Sequence, residues 1–200
     1  MRLLVRIITT AFFKLFYKVE VVNRENVPQK GGAVLCSNHV GVLDMFFIGY
    51  KLNRWIYYMA KEELFKIPVL RLLIRQLGAF PVKREKGDVE SIKTALKLIG
   101  DGHIVGIFPE GTRTSKRKEG KMVKPKPGAA LLAVKTGVPV IPVAIQGRYK
   151  LFSNVKVIFG EPIKLDASES IKYTTAELTD YSRSIMEKIY ALMGEGQWKS

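Results

Sequence analysis

Short apolar runs rich in β-branched residues alternate along this chain with segments of helical periodicity. The runs lie at 33–36, 56–59, 79–82, 104–108, 140–145 and 155–159, and a further strand-like stretch, 19–22, precedes them. Runs that are apolar throughout are typical of strands buried on both faces of a sheet. Because such strands need covering helices, the pattern predicts a single α/β domain with a largely parallel or mixed sheet flanked by helices.

The segments between these runs carry helix signals. Asp88 is a suitable N-cap for a helix that ends at Gly100 and Gly102. Further helices are predicted at 127–135 and 175–193, whereas residues 114–126 are predicted to form a long exposed loop. At 200 residues, such a domain can bury a core without disulfides or metals.

Cysteine content limits the chemistry further. The single cysteine, Cys36, excludes an internal disulfide, and its place in an apolar run predicts a small buried side chain. No Cys/His cluster has the spacing of a zinc site, so we expect no metal.

Residues 1–18 have the pattern of a basic amphipathic helix. Plotted at about 100° per residue, one arc is apolar and the other carries cations and threonines. The apolar arc holds Leu4, Val5, Ile8, Ala11, Phe12, Leu15 and Phe16. Such a helix is expected to lie in the headgroup region of an anionic membrane, and the alternative is a helix packed on the core. The longest uncharged run, 31–43, is too short to span a bilayer.

The net charge of +15 predicts an anionic partner. Nucleic acid, a phospholipid surface, an acidic carrier protein and a phosphorylated substrate all meet this condition. A non-catalytic basic protein that binds membrane or nucleic acid is therefore one alternative. The chain lacks the interleaved aromatic and basic residues of a single-strand binding surface, so we expect no nucleic acid partner.

The segment 37–44, Ser-Asn-His-Val-Gly-Val-Leu-Asp, carries the clearest catalytic signal. A histidine held by a carboxylate can take a proton from an alcohol near neutral pH. Five residues of regular helix turn through about 500°, so His39 and Asp44 cannot pair within one helix. We expect His39 on the turn after a strand and Asp44 in the first turns of the next helix, where Asp44 can hold Nδ1.

No matching nucleophile accompanies this pair. The chain has no Gly-x-Ser-x-Gly motif, and Ser37 would point to the other side of its strand. The histidine is therefore expected to act on a substrate alcohol directly. The second histidine, His103, lies in a turn without a partner motif and is expected to be structural.

A second polar segment, Phe108-Pro109-Glu110-Gly111-Thr112-Arg113, follows a predicted strand. In α/β proteins, ligand sites lie at the carboxyl ends of strands. Gly111 allows close approach of the backbone, and the planar guanidinium of Arg113 suits a phosphate monoester.

In this order, the segments 37–44, 78–84, 108–114 and 138–143 resemble the four sequence blocks of the glycerolipid acyltransferases. The resemblance spans about 34–145 and is strongest to the lysophosphatidic acid (1-acylglycerol-3-phosphate) acyltransferases. It implies transfer of a fatty acyl group from acyl-CoA or acyl carrier protein to the free sn-2 hydroxyl of 1-acylglycerol-3-phosphate. The product is phosphatidic acid, and the reaction is a step of phospholipid biosynthesis. His39 and Asp44 would be the base dyad, and no cofactor is implied.

The resemblance also implies substrate-binding residues. Glu110, Arg113 and Arg84 match positions that help bind the glycerophosphate acceptor, and Gly111 and Thr112 lie in the same block. Glu110 is expected to contact an acceptor hydroxyl or to orient Arg113, since a carboxylate repels phosphate.

The sequence leaves two roles open for each of two lysines. Lys83 is either a phosphate ligand or a solvated charge, and Lys61 either assists the acceptor or oxyanion or is a surface charge. The block before Arg84 leaves other acceptors open, namely glycerol 3-phosphate or a lyso-aminolipid.

The segment 113–126 holds seven cations and one acidic residue. It is either a solvated loop or a docking patch for acyl carrier protein, coenzyme A phosphates or lipid headgroups. The cations are Arg113, Lys116, Arg117, Lys118, Lys121, Lys124 and Lys126, and the acid is Glu119. The chain thus predicts a membrane-associating helix at 1–18 and an acyltransferase domain at 19–200, peripheral or monotopic on the cytoplasmic face of the cell membrane.

Overall fold

The computed structural model describes residues 2–83, 88–113, 123–147, 149–165 and 173–194. The strands found there are Lys18–Val22 (β1), Ala33–Ser37 (β2), Ile56–Lys61 (β3), Ala79–Val82 (β4), Ile104–Ile107 (β5), Val140–Gly147 (β6) and Asn154–Phe159 (β7). The α-helices are Arg2–Phe16 (α1), Asp44–Gly49 (α2), Pro68–Gln76 (α3), Val89–Gly100 (α4), Gly128–Thr136 (α5) and Thr175–Ala191 (α6).

The strands form one sheet in the order β1-β7-β6-β2-β5-β3-β4. Each neighbouring pair is parallel except β6 and β7, which are antiparallel. The carboxyl ends of the parallel strands therefore meet at one edge. This arrangement confirms the predicted α/β fold with a largely parallel, mixed sheet.

The central strand β2 shows why the sheet needs two covering layers. Ala33 and Leu35 pack into one apolar cluster with α1 and α2, whereas Val34 and Cys36 pack into another with α4, α5 and α6. All five residues of β2 are buried. Burial raises the pKa of the Cys36 thiol, which agrees with the predicted role of this residue in the core.

The predicted helices are present, and the predicted N-cap of α4 is confirmed. The Asp88 carboxylate accepts a hydrogen bond from the Ser91 backbone N–H (3.1 Å) at the start of α4. Thr174 and Glu177 form a capping box at the start of α6. Of the predicted loop 114–126, residues 114–122 lie outside the described part of the chain.

Helix α3 is absent from the sequence prediction. It begins with Pro68 at its first position, a favourable start. Its apolar residues lie on one side and Arg71 and Arg75 on the other, so the helix is amphipathic. The helix packs along β4 at the sheet edge, and none of its residues is buried.

Helix α1 packs through Phe13, whose ring stacks on Phe47 of α2 with centroids 4.2 Å apart. Most of its apolar arc faces outward. Leu3, Leu4, Ile7, Ile8 and Leu15 are all more than half exposed. Among the described residues, no helix is both long enough and apolar enough to cross a bilayer.

Candidate active site

The carboxyl end of β2 places the predicted dyad. The strand ends at Ser37, His39 lies on the following turn, and Asp44 is the first residue of α2. His39 Nδ1 lies 2.5 Å from Asp44 Oδ2. The structure therefore has the turn-and-helix arrangement that the spacing of these two residues predicts.

Asp44 is fully buried and is surrounded by donors. The Val40 backbone N–H donates to Oδ2 (2.8 Å), and the Gly41 N–H approaches both carboxylate oxygens at 3.0 and 3.1 Å. The Tyr149 hydroxyl donates to Oδ1. A carboxylate removed from water needs such partners, and these also fix its orientation towards the imidazole.

Tyr149 is a site residue that the sequence did not reveal. It follows β6 and lies 105 residues from Asp44 along the chain. Burial, followed by the charge of Asp44, raises the pKa of the Tyr149 phenol. The hydroxyl therefore keeps its proton in the neutral range and remains a donor to Asp44.

The His39 ring is held on its face as well as at Nδ1. It stacks on Phe108 with centroids 4.2 Å apart and an angle of 18° between the planes. Phe108 in turn stacks on Tyr58 with centroids 5.9 Å apart. Aromatic packing and the Asp44 contact together restrict the imidazole to one orientation.

His39 lines a cavity of about 540 Å³ between the carboxyl ends of the strands and helices α4 and α5. This volume is within the usual range for small-molecule sites. The wall is mainly apolar and includes Met59, Val82, Ile92, Ile107, Phe108 and Leu131. Polar side chains also line it, namely Lys83, Asp88, Ser91 and Lys126. The cavity suits a ligand with a long apolar part and an anionic group.

The segment 108–113 contributes to this site unevenly. Gly111 lines the cavity with a φ of +65°, a left-handed conformation that favours glycine. Glu110 is buried, is not among the cavity-lining residues, and accepts a hydrogen bond from the Tyr190 hydroxyl of α6. Thr112 is half-buried and Arg113 is exposed.

Lys126 lies close to Gly111. A Cβ atom added to this glycine would come within 3.1 Å of Lys126 Cε and 3.6 Å of Nζ. The Lys126 backbone N–H donates to the Pro109 carbonyl (2.8 Å), which fixes the lysine beside the segment 108–113. From the sequence, Lys126 is predicted only as part of the cationic loop, because its place at the cavity depends on the tertiary fold.

The other predicted cations are less closely tied to the cavity. Lys83 is exposed at its rim, with Nζ 3.8 Å from Glu62 Oε1, and its backbone N–H donates to Asp88 (2.6 Å). Lys61, at the end of β3, is exposed and does not line the cavity. Arg84 lies outside the described residues, as do Lys116, Arg117, Lys118, Glu119 and Lys121.

His103 is separate from this site and packs against Tyr57 with ring centroids 4.9 Å apart. Within the described ranges, no three His, Cys, Asp or Glu side chains form a group that could hold a metal ion. The cavity itself presents the oriented imidazole of His39, apolar walls and the polar side chains of Lys83, Asp88, Ser91 and Lys126.

Comparisons with known proteins identify relatives of this chain. An acyltransferase family model matches residues 18–146. A 1-acyl-sn-glycerol-3-phosphate acyltransferase of Bacillus subtilis is 40% identical over 151 residues, covering 72% of this chain and 73% of that protein. The chloroplastic 1-acyl-sn-glycerol-3-phosphate acyltransferase LPAT1 of Arabidopsis thaliana is 33% identical over 161 residues, covering 74% of this chain and 44% of that protein.

A solved structure extends the similarity to the fold. The crystal structure of the 1-acyl-sn-glycerophosphate acyltransferase PlsC from Thermotoga maritima matches with a TM-score of 0.68 at 28% identity. The match covers 92% of this chain and 76% of that one.

Proposed function

This chain belongs to the acyltransferase family and is an O-acyltransferase of phospholipid biosynthesis, and we propose that its acceptor is the free sn-2 hydroxyl of 1-acylglycerol-3-phosphate. The product is phosphatidic acid, and the donor is an acyl thioester of coenzyme A or acyl carrier protein. The observation that carries this proposal is the His39–Asp44 pair at an apolar cavity lined also by lysines. Relatives named for this reaction support it.

His39 acts as the general base. Because Asp44 holds Nδ1, Nε2 is the nitrogen that accepts the proton of the acceptor hydroxyl. The hydroxyl oxygen then attacks the thioester carbonyl, the carbon–sulfur bond breaks, and the leaving thiolate takes the proton from the imidazolium. Asp44 stabilises that imidazolium, and proton transfer of this kind contributes about 10²- to 10⁴-fold to the rate.

The tetrahedral intermediate needs hydrogen-bond donors for its oxyanion. The Val40 and Gly41 backbone N–H groups already donate to Asp44. The donors for the oxyanion therefore come from another part of the site.

The apolar wall of the cavity binds the fatty acyl chain. Residues of both the sheet and α5 contribute to it, including Met59, Ile107 and Leu131. Each buried methylene group contributes about 0.8 kcal/mol, so a cavity of about 540 Å³ provides substantial binding energy for a chain.

The acceptor phosphate binds at the cationic rim. Lys83 and Lys126 line the cavity, and Lys126 lies beside Gly111, where the backbone can approach a ligand closely. Arg113 and Arg84 are further candidates from the sequence, and a guanidinium suits a phosphate monoester. The other cations of the segment 113–126 are proposed to bind the anionic part of the thioester donor, namely Lys116, Arg117, Lys118, Lys121 and Lys124.

The enzyme is proposed to act as a peripheral or monotopic protein on the cytoplasmic face of the cell membrane. Support comes from the apolar side chains of α1, which point away from the protein body. Such a helix lies in the headgroup region of a bilayer, where a lysophospholipid acceptor is available.

An acceptor panel tests the proposal. The purified enzyme is incubated in vesicles with labelled acyl-CoA, or separately with acylated acyl carrier protein, and with 1-acylglycerol-3-phosphate, glycerol 3-phosphate or a phosphate-free lyso-aminolipid. We expect phosphatidic acid to form with the first acceptor at the highest kcat/KM. A preference for the phosphate-free lyso-aminolipid, with acceptor KM unchanged in Lys126→Ala, would contradict the proposed phosphate site.

A further inference from the structure

The cations at the start of α1 are directed to the protein rather than outward. The Arg2 side chain donates to the Tyr57 hydroxyl (2.9 Å), and the Arg6 guanidinium donates to the Leu52 carbonyl. The outward surface of the helix is correspondingly apolar, with Leu3 71% exposed and Leu15 66% exposed. Lys14 is a further exposed cation of α1, so cations on a neighbouring element would add to the contact of this helix with anionic headgroups.

Helix α3 supplies both cations and further exposed apolar side chains. Val69 is 82% exposed and Leu72 is 66% exposed, and Leu73 is also exposed. Ile67 and Leu64, just before the helix, extend this surface. Arg71 and Arg75 are exposed one turn apart on the same helix. A helix with such residues and no buried side chain is not explained by packing on the core.

Trp55 joins the two helices. Its indole N–H donates to the carbonyl of Leu77, the residue that follows α3 (3.0 Å). The Arg2 guanidinium of α1 lies over the same ring, 5.2 Å from its centroid. The start of α1 and the end of α3 therefore lie beside one tryptophan, a residue type favoured at membrane interfaces.

We propose that α3 and the preceding residues 64–67 form a second lipid-contact surface beside α1, and that its partner is the headgroup region of an anionic phospholipid bilayer. Val69, Leu72 and Leu73 enter the interface, while Arg71 and Arg75 contact anionic headgroups. The inference extends the proposed membrane contact of α1 and is independent of the acyl-transfer reaction.

Vesicle flotation tests the apolar part of this surface. The full chain is mixed with vesicles of phosphatidylcholine and phosphatidylglycerol in equal parts. The triple variant Val69→Gln, Leu72→Gln, Leu73→Gln keeps good helix formers and is expected to bind about tenfold more weakly or worse. The matched triple variant to Met keeps the apolar surface and is expected to bind like the wild type.

A second pair of variants tests the charge. Two double variants lower the net charge equally. One is Arg71→Gln with Arg75→Gln on α3, and the other is Lys93→Gln with Lys188→Gln on α4 and α6. We expect a clear loss of binding to the anionic vesicles only for the α3 pair. An equal loss for both pairs would show that net charge, rather than α3, determines binding.

Further outcomes separate this inference from the proposed α1 contact. If the glutamine triple variant binds like the wild type while Leu4→Gln with Ile8→Gln loses binding, α3 is not a contact and the α1 proposal stands. If neither loses binding, both membrane proposals are wrong. Acyl transfer to a detergent-dispersed acceptor, expected to be unchanged in the α3 variants, keeps the proposed reaction a separate question.

Discussion

Replacing Tyr149 with phenylalanine removes one donor from Asp44 and keeps the aromatic ring. The ring packs against Phe47 with centroids 5.0 Å apart, so its core contacts survive the change. A hydrogen bond to a charged group is worth about 1.5–3 kcal/mol. Since His39 and the Val40 and Gly41 N–H groups still hold Asp44, we expect the lower part of this range to appear in the reaction.

A loss of that size in the transition state corresponds to about a tenfold to thirtyfold fall in kcat. Tyr149 does not line the cavity, so the KM values for donor and acceptor are expected to stay the same. The assay is steady-state acyl transfer to 1-acylglycerol-3-phosphate with each substrate varied in turn.

The control is Tyr50→Phe, which removes a hydroxyl from another buried tyrosine of the same apolar cluster. It is expected to leave kcat near the wild-type value. If Tyr149→Phe keeps full kcat, or if both variants lose activity equally, the hydroxyl of Tyr149 does not position Asp44 for catalysis.

Three further predictions concern the rim of the cavity. Lys126→Ala is expected to raise the KM for the acceptor about tenfold with little change in kcat, because the substitution removes a cation from the phosphate site. A raised KM for the donor alone would contradict this assignment. Gly111→Ala should cost about 1–2 kcal/mol of stability in thermal unfolding, because its φ of +65° strains any side chain, and an unchanged Tm would contradict this. Backbone hydrogen bonds, chiefly from Lys83, lower the pKa of Asp88 in the folded protein. The ionised carboxylate therefore stabilises the fold at pH values above its unfolded pKa of about 3.9. This stabilisation is lost as the pH falls through the lower pKa of the folded state. The Tm difference between wild type and Asp88→Asn should therefore be largest near neutral pH and should vanish in acid, and a difference independent of pH would refute this assignment.

The elements set by local sequence were predictable. Most strands contain a short apolar run, and Asp88 has the side chain that an N-cap requires, so the sheet and α4 followed from pattern alone. The pairing of His39 with Asp44 depends on a turn of five residues, which is also local.

Contacts between distant segments were not predictable. Tyr149 meets Asp44 across 105 residues, and Tyr190 meets Glu110 across 80. A single sequence contains no signal for such pairs, because they depend on how β6 and α6 pack against the rest of the fold. Helix α3 did not follow from the pattern for another reason, since it is only 9 residues long and none of its residues is buried.

The catalytic role of His39 is the central claim and is tested most directly by acyl transfer in the folded His39→Ala variant. The donor is acyl-CoA or acylated acyl carrier protein, and the acceptor is 1-acylglycerol-3-phosphate. We expect kcat to fall at least about a hundredfold while the variant still binds vesicles. Wild-type activity in a correctly folded variant would show that the histidine is not the base.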